Sequence, residues 1–79
     1  MITGSQVRAA KALLNWSGSV LAEQADIAIS TIRRIEAVDG VLPSASARVL
    51  QAIQIALENA GVEFIGSPDD QPGVRLAKK

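Results

Sequence analysis

Arg33 and Arg34 stand side by side in the run Ile29-Ser30-Thr31-Ile32-Arg33-Arg34-Ile35-Glu36. They are the residues of this sequence best suited to specific recognition chemistry. A guanidinium presents a rigid fork of donors that fits two acceptors at once, whether phosphate oxygens or the O6 and N7 of a guanine. In an arbitrary protein such a pair is most often solvated surface charge, so its meaning depends on the element that carries it. Other chemistry lacks its residues. The 79-residue chain has no Cys and no His, which removes thiol nucleophiles, zinc–thiolate sites, disulfides and the imidazole base. Its carboxylates are scattered, and Asp69-Asp70 falls in a stretch rich in Gly, Pro and Asp. With no acid/base constellation, the chain is not expected to be an enzyme, and no metal, cofactor or small-molecule ligand is expected.

Eight Lys/Arg against eight Asp/Glu give a formal charge of zero. A nucleic-acid binder usually carries excess positive charge, so any basic footprint here has to be local. The length allows one modest core, with no room beside it for a deep substrate cavity. Uninterrupted apolar runs are far shorter than the ~20 residues that span a bilayer, and Met1 to Lys11 lacks the apolar centre of a signal peptide. The expectation is a cytosolic protein with no membrane partner.

The elements that must position the arginines follow from periodicity and capping signals. Thr3 followed by Gln6 has capping-box spacing, and Val7, Ala10, Leu13 and Leu14 recur at three and four, which predicts a helix with one buried face. Asn15 suits its left-handed stop, and Trp16 at the junction reads as a core anchor rather than a stacking platform. Ser17 reads as the N-cap of a short helix running to about Ala25, with Leu21, Ala22 and Ala25 inward. After Asp26-Ile27-Ala28, a third helix is predicted over Ile29 to Ala37. At 100° per residue, Ala28, Ile32 and Ile35 share one sector, while Ser30, Arg33, Arg34 and Ala37 face away from it. Asp39-Gly40 signals a turn, and Pro43 with Ser44 or Ser46 begins a fourth helix that ends at Ala60, with Gly61 as its C′ residue. Ser46, Val49, Leu50, Ile53, Ala56, Leu57 and Ala60 form its core stripe, and Ile55 with Ala52 lies on the far side.

Two short helices joined by about three residues, with small residues at their crossing, have the geometry of a helix-turn-helix. On these residues, Gly18 to Ala37 and above all LAEQADIAISTIRRIE, the chain resembles the phage-repressor/Cro type, also called the XRE family, over about residues 3 to 60. The resemblance implies a mainly α fold, a four-helix Cro/C1-repressor-like domain over residues 1–61 with the motif at about 18–37. It implies a regulator that binds double-stranded DNA with its third helix in the major groove. By position, Ile29, Ser30, Arg33 and Arg34 would face the bases, and Ser17, Gly18, Ser19, Ser44 and Ser46 would supply phosphate contacts at helix starts. Lys11 and Glu36 match a family position where a basic residue of the first helix pairs with the acid that ends the third. Gly18 stands where relatives commonly have Gln, Asp26 where they have Gly, and Ala28 where they have a capping Ser or Thr. Asp26 is therefore expected in the left-handed region, and the third helix is expected to lack a side-chain cap.

Val62 to Ile65 and Val74 to Leu76 alternate apolar and polar residues around a loop, which predicts a two-stranded hairpin over residues 62–79. Val62, Phe64, Val74 and Leu76 share one face, and Glu63 and Arg75 pair on the other. A hairpin alone is marginal in water, so it docks on the helices or joins another chain's strands, and Ile55 with Ala52 offers that docking surface or half of a dimer interface. A homodimer is expected because one short reading helix binds weakly. Arg8 and Arg48 read as surface charges, with a phosphate contact by either as the lesser alternative. The competing reading is a helix-turn-helix module that binds a protein partner, as an antitoxin or adaptor does, with DNA binding weak or lost.

Overall fold

The computed structural model describes residues 1–77. Most of the helices begin where a side chain takes up an orphan amide. Thr3 Oγ1 accepts from Gln6 N–H at 3.0 Å and Gln6 Oε1 accepts from Thr3 N–H at 2.9 Å, a complete capping box that starts α1 (Gly4–Leu14). Ser17 caps α2 (Gly18–Ala25) and Ser46 caps α4 (Ala47–Asn59) through bonds to Val20 N–H and Val49 N–H. The exception is α3 (Ile29–Glu36), whose N-cap residue Ala28 offers no side-chain bond. Ala37, expected as its last residue, is instead its C-cap.

The ends of α1 and α2 are built alike. Asn15 (φ 58°) and Asp26 (φ 57°) occupy the left-handed region. In each case the next residue's amide reaches back to the preceding turn, Trp16 N–H to Lys11 O at 2.9 Å and Ile27 N–H to Ala22 O at 3.0 Å. This satisfies carbonyls that a helix end otherwise leaves open and turns the chain sharply. Gly61, at φ 109°, follows α4 in the expected C′ position and donates to Glu58 O.

The core draws Ile2, Val7 and Ala10 from the first segment, Leu21 from α2, Ile32 and Ile35 from α3, Leu50, Ile53 and Leu57 from α4, and Val62 from the hairpin. Trp16 and Ile27 pack against it, half-buried. Three expectations of burial fail. Leu13 is 43% exposed, because Val7 and Ala10 already define the inward line of α1 and Leu13 lies off it. Ala28 is exposed because it sits before the helical turn begins, with non-helical backbone. Ser46 is exposed because it is spent as a cap.

Strands β1 (Val62–Ser67) and β2 (Asp70–Leu76) form an antiparallel pair with the register Val62↔Leu76, Glu63↔Arg75 and Phe64↔Val74, interrupted by a bulge between Ile65 and Ser67. Both strands run further than the alternation predicts, so the turn narrows to Pro68-Asp69. Glu63 and Arg75 pair across the strands at 2.8 Å. On the opposite face Val62 is buried and Phe64 and Val74 half-buried, while Leu76 stays 43% exposed. The hairpin packs on α1 and α4 of its own chain. It does so without covering Ile55, which remains 47% exposed. No helix among the described residues is long and apolar enough to cross a membrane.

Candidate nucleic-acid interface

The arginine-bearing helix is held from behind. Ile32 and Ile35 are each 1% exposed, so the side of α3 that carries them is fixed in the core, and Ser30, Arg33 and Arg34 fall on the solvent side. Neither Arg33 nor Arg34 forms an ion pair among the described residues. Both guanidinium groups are therefore open to an external acceptor. Ile29 is half-buried at the start of the helix and offers only an apolar edge.

The far end of α3 is tied to α1 by three sets of contacts. Lys11 Nζ lies 2.8 Å from Glu36 Oε1, with side chains only 18% and 15% exposed. Arg8 is an exposed charge, as the sequence suggests, but it is engaged. Its Nη1 donates to the carbonyls of Glu36 and Val38, and its Nη2 donates to Ser5 Oγ at 3.1 Å and Asp39 Oδ1 at 2.6 Å. A cation on the last carbonyls of a helix is also favoured by the helix dipole. In return, the first amides of α1 are taken by the loop after α3, Gly4 N–H to Gly40 O at 2.9 Å and Ser5 N–H to Asp39 O at 3.3 Å. The approach is close enough that a Cβ on Gly4 would sit 1.9 Å from Val38 O. No local sequence signal marks Arg8, since its carbonyl partners lie some thirty positions away.

The expected phosphate ligands are dispersed. Ser17, Gly18 and Ser19 gather at the start of α2, where Ser17 caps Val20 and the Gly18 and Ser19 amides have no acceptor among the described residues. Ser46 caps α4, and Ser44 lies in the preceding turn, exposed and without a capping bond. A side chain at Gly18 would meet only Lys11 Nζ, at 3.7 Å, so the position has room for one. The charge on the exposed surface of the α2–α3 unit is mixed. Glu23 and Asp26 are exposed beside the turn and Arg33 and Arg34 are exposed further along α3, while Glu36 is engaged by Lys11. The positive patch is two arginines wide.

A groove of about 240 Å³ lies away from this face, lined by Met1, Ala47, Leu50, Gln51 and Gln54. It falls short of the ~300–1,000 Å³ usual for small-molecule sites. Comparison with protein-family models finds none that matches the chain, and a search of curated proteins finds no match.

Proposed function

We propose that the chain is a sequence-specific DNA-binding transcriptional regulator, a repressor of the phage-repressor/Cro (XRE) type, that lays α3 in the major groove. One observation carries the reading: on a helix whose Ile32 and Ile35 are sealed in the core, Arg33 and Arg34 are exposed and unpaired. The tight turn at Asp26 supports it, because it joins α2 and α3 through three residues. Arg33 and Arg34 read base edges or hold the adjoining phosphates, Ile29 packs on a thymine methyl, and Ser30 bonds a base edge or backbone. The Gly18 and Ser19 amides, with Ser17 and the Ser44–Ser46 segment, meet phosphate. The protein acts as a homodimer on paired half-sites, by occupying DNA and without catalysis.

The second reading is a protein-binding module of the same architecture, such as an antitoxin or adaptor. It is favoured by the exposed Glu23 and Asp26 beside the arginines and by the absence of a side chain at Gly18. Selection of bound sequences from random duplex DNA separates the two. The regulator enriches a motif with two half-sites, and Arg34→Ala relaxes preference at one position in each. No enriched motif and no salt-dependent binding leaves the protein-binding module.

A further inference from the structure

No other element among the described residues covers Ile55 on the outward face of α4. Arg48, Gln51, Ile55, Glu58 and Asn59 are exposed and Ala52 is half-buried; they follow one another at three and four positions, opposite the core line of Leu50, Ile53 and Leu57. Ile55 is 47% exposed, and among the large apolar side chains only Met1 is more so. The hairpin, which needs a docking surface, packs on α1 and on α4 without covering Ile55.

The charges on this face are arranged end to end. Arg48 stands at the N-terminal end and Glu58 ten positions later, about 15 Å along the axis. An arrangement of opposite charges at the two ends of one face is complementary to itself when a second copy lies antiparallel, the condition for a two-fold interface. Setting Arg48 against Glu58 of the second copy puts Ile55 level with the second copy's Gln51. There it enters the space bounded by Arg48, Gln51, Ala52 and Ile55, positions i, i+3, i+4 and i+7, which is the hole that receives a knob between packed helices. The register that pairs the charges therefore also gives Ile55 a hole to occupy.

We infer that α4 is the homodimer interface, packed antiparallel on α4 of a second copy with Ile55 at its centre and Arg48–Glu58 pairs at both ends. The assignment rests on the homodimer in the proposed function, but not on DNA being the target. One helix face covers less area than the ~800 Å² per partner of a standard stable interface, so the dimer is weak and forms at high protein concentration.

Sedimentation equilibrium of the full chain without DNA, from micromolar to millimolar, tests it, with circular dichroism to show that each variant is folded. The wild type dimerises, and Ile55→Asp raises the dissociation constant by about tenfold or more. Arg48→Glu and Glu58→Arg each weaken self-association, because one reversal acts at both ends of a two-fold dimer, and the double variant R48E/E58R restores it. A parallel arrangement sets like residues against each other, so neither single reversal changes it. A wild type that stays monomeric at millimolar concentration overturns both this interface and the homodimer. Dimerisation that persists unchanged in Ile55→Asp and Arg48→Glu overturns this interface alone and leaves the hairpin as the dimer contact.

Discussion

The Lys11 ammonium of α1 lies 2.8 Å from Glu36 Oε1 at the end of α3, and the other oxygen of that carboxylate, Oε2, is buried without a hydrogen-bond partner among the described residues. A pair more than four-fifths buried differs from a surface salt bridge, because each ion depends on the other for the hydration it has lost. The same junction receives Arg8 on the Glu36 and Val38 carbonyls. The angle at which α3 presents Arg33 and Arg34 is thus set at its far end by α1, while Ile32 and Ile35 set its depth.

Removing one member of that pair should cost more than removing both. Lys11→Met leaves Glu36 without its cation and is expected to destabilise the fold by about 3 kcal/mol. Lys11→Met combined with Glu36→Leu should recover most of the loss, since neither ion is then stranded. Urea denaturation of the two singles and the double checks this, and simple additivity of the single losses would contradict it.

Gln6 joins two elements with one amide. Its Oε1 completes the α1 cap, while its Nε2 donates to Gly73 O at 2.9 Å and Ile65 O at 3.4 Å, clamping the hairpin beside its bulge. Gln6→Ala loses both functions and should cost about 2 kcal/mol. Gln6→Glu keeps an acceptor for Thr3 but sets a carboxylate against two carbonyls. Hydrogen exchange should then quicken at the hairpin amides in Gln6→Glu while the first turn of α1 remains protected. Equal protection in wild type and variant would show that the clamp contributes nothing.

Two glycines at helix starts should respond with opposite signs. A Cβ at Gly4 would lie 1.9 Å from Val38 O and 2.3 Å from Ile35 O, so Gly4→Ala pries α1 from the end of α3 and should cost about 3 kcal/mol or more. A Cβ at Gly18 meets only Lys11 Nζ at 3.7 Å, so Gly18→Ala should add roughly 0.5 kcal/mol by narrowing the unfolded ensemble. Thermal or urea midpoints of the two variants decide it.

These contrasts mark what was legible in the sequence. Caps and stops were, because Thr3 with Gln6, Ser17, Asn15, Asp26 and Gly61 act on backbone within a few positions of themselves, and residue type and spacing encode that chemistry directly. The outward placement of Arg33 and Arg34 was legible from helical periodicity, and the Lys11–Glu36 pair only through the family resemblance. The grip of Arg8 on α3 and of Gln6 on the hairpin was not, since both join segments some thirty to sixty-seven positions apart. Leu13 misled for a related reason: spacing names the residues that can face inward, but which are covered depends on where the neighbouring elements stop.

The cross-strand pair predicts a pH effect confined to the hairpin. The hydrogen bond and the charge of Arg75 hold the Glu63 carboxyl below the usual glutamate value. Since the folded value is the lower one, the pair's contribution is present above the unfolded value and is lost as the pH falls through the folded one. Side-chain NMR titration should find Glu63 protonating at lower pH than a free glutamate, and Arg75→Ala should return it to the ordinary value. Both groups are exposed, so the pair stabilises the fold only slightly and raised salt should weaken it.

Recognition and folding should separate cleanly at α3. Arg33 and Arg34 are exposed and make no ion pair among the described residues, so replacing both by Ala should change stability by no more than about 0.5 kcal/mol. On the proposed reading, the same double substitution removes nearly all sequence preference for DNA. The weak residual affinity at low salt should also depend less steeply on salt, by about one unit of log–log slope for each arginine that neutralised a phosphate. An arginine that bonds guanine instead shows itself in the base preference that is lost. Fluorescence anisotropy across a salt series, alongside urea denaturation, measures the two effects independently. Unchanged DNA affinity and preference in a folded double variant would move the functional surface away from α3 altogether.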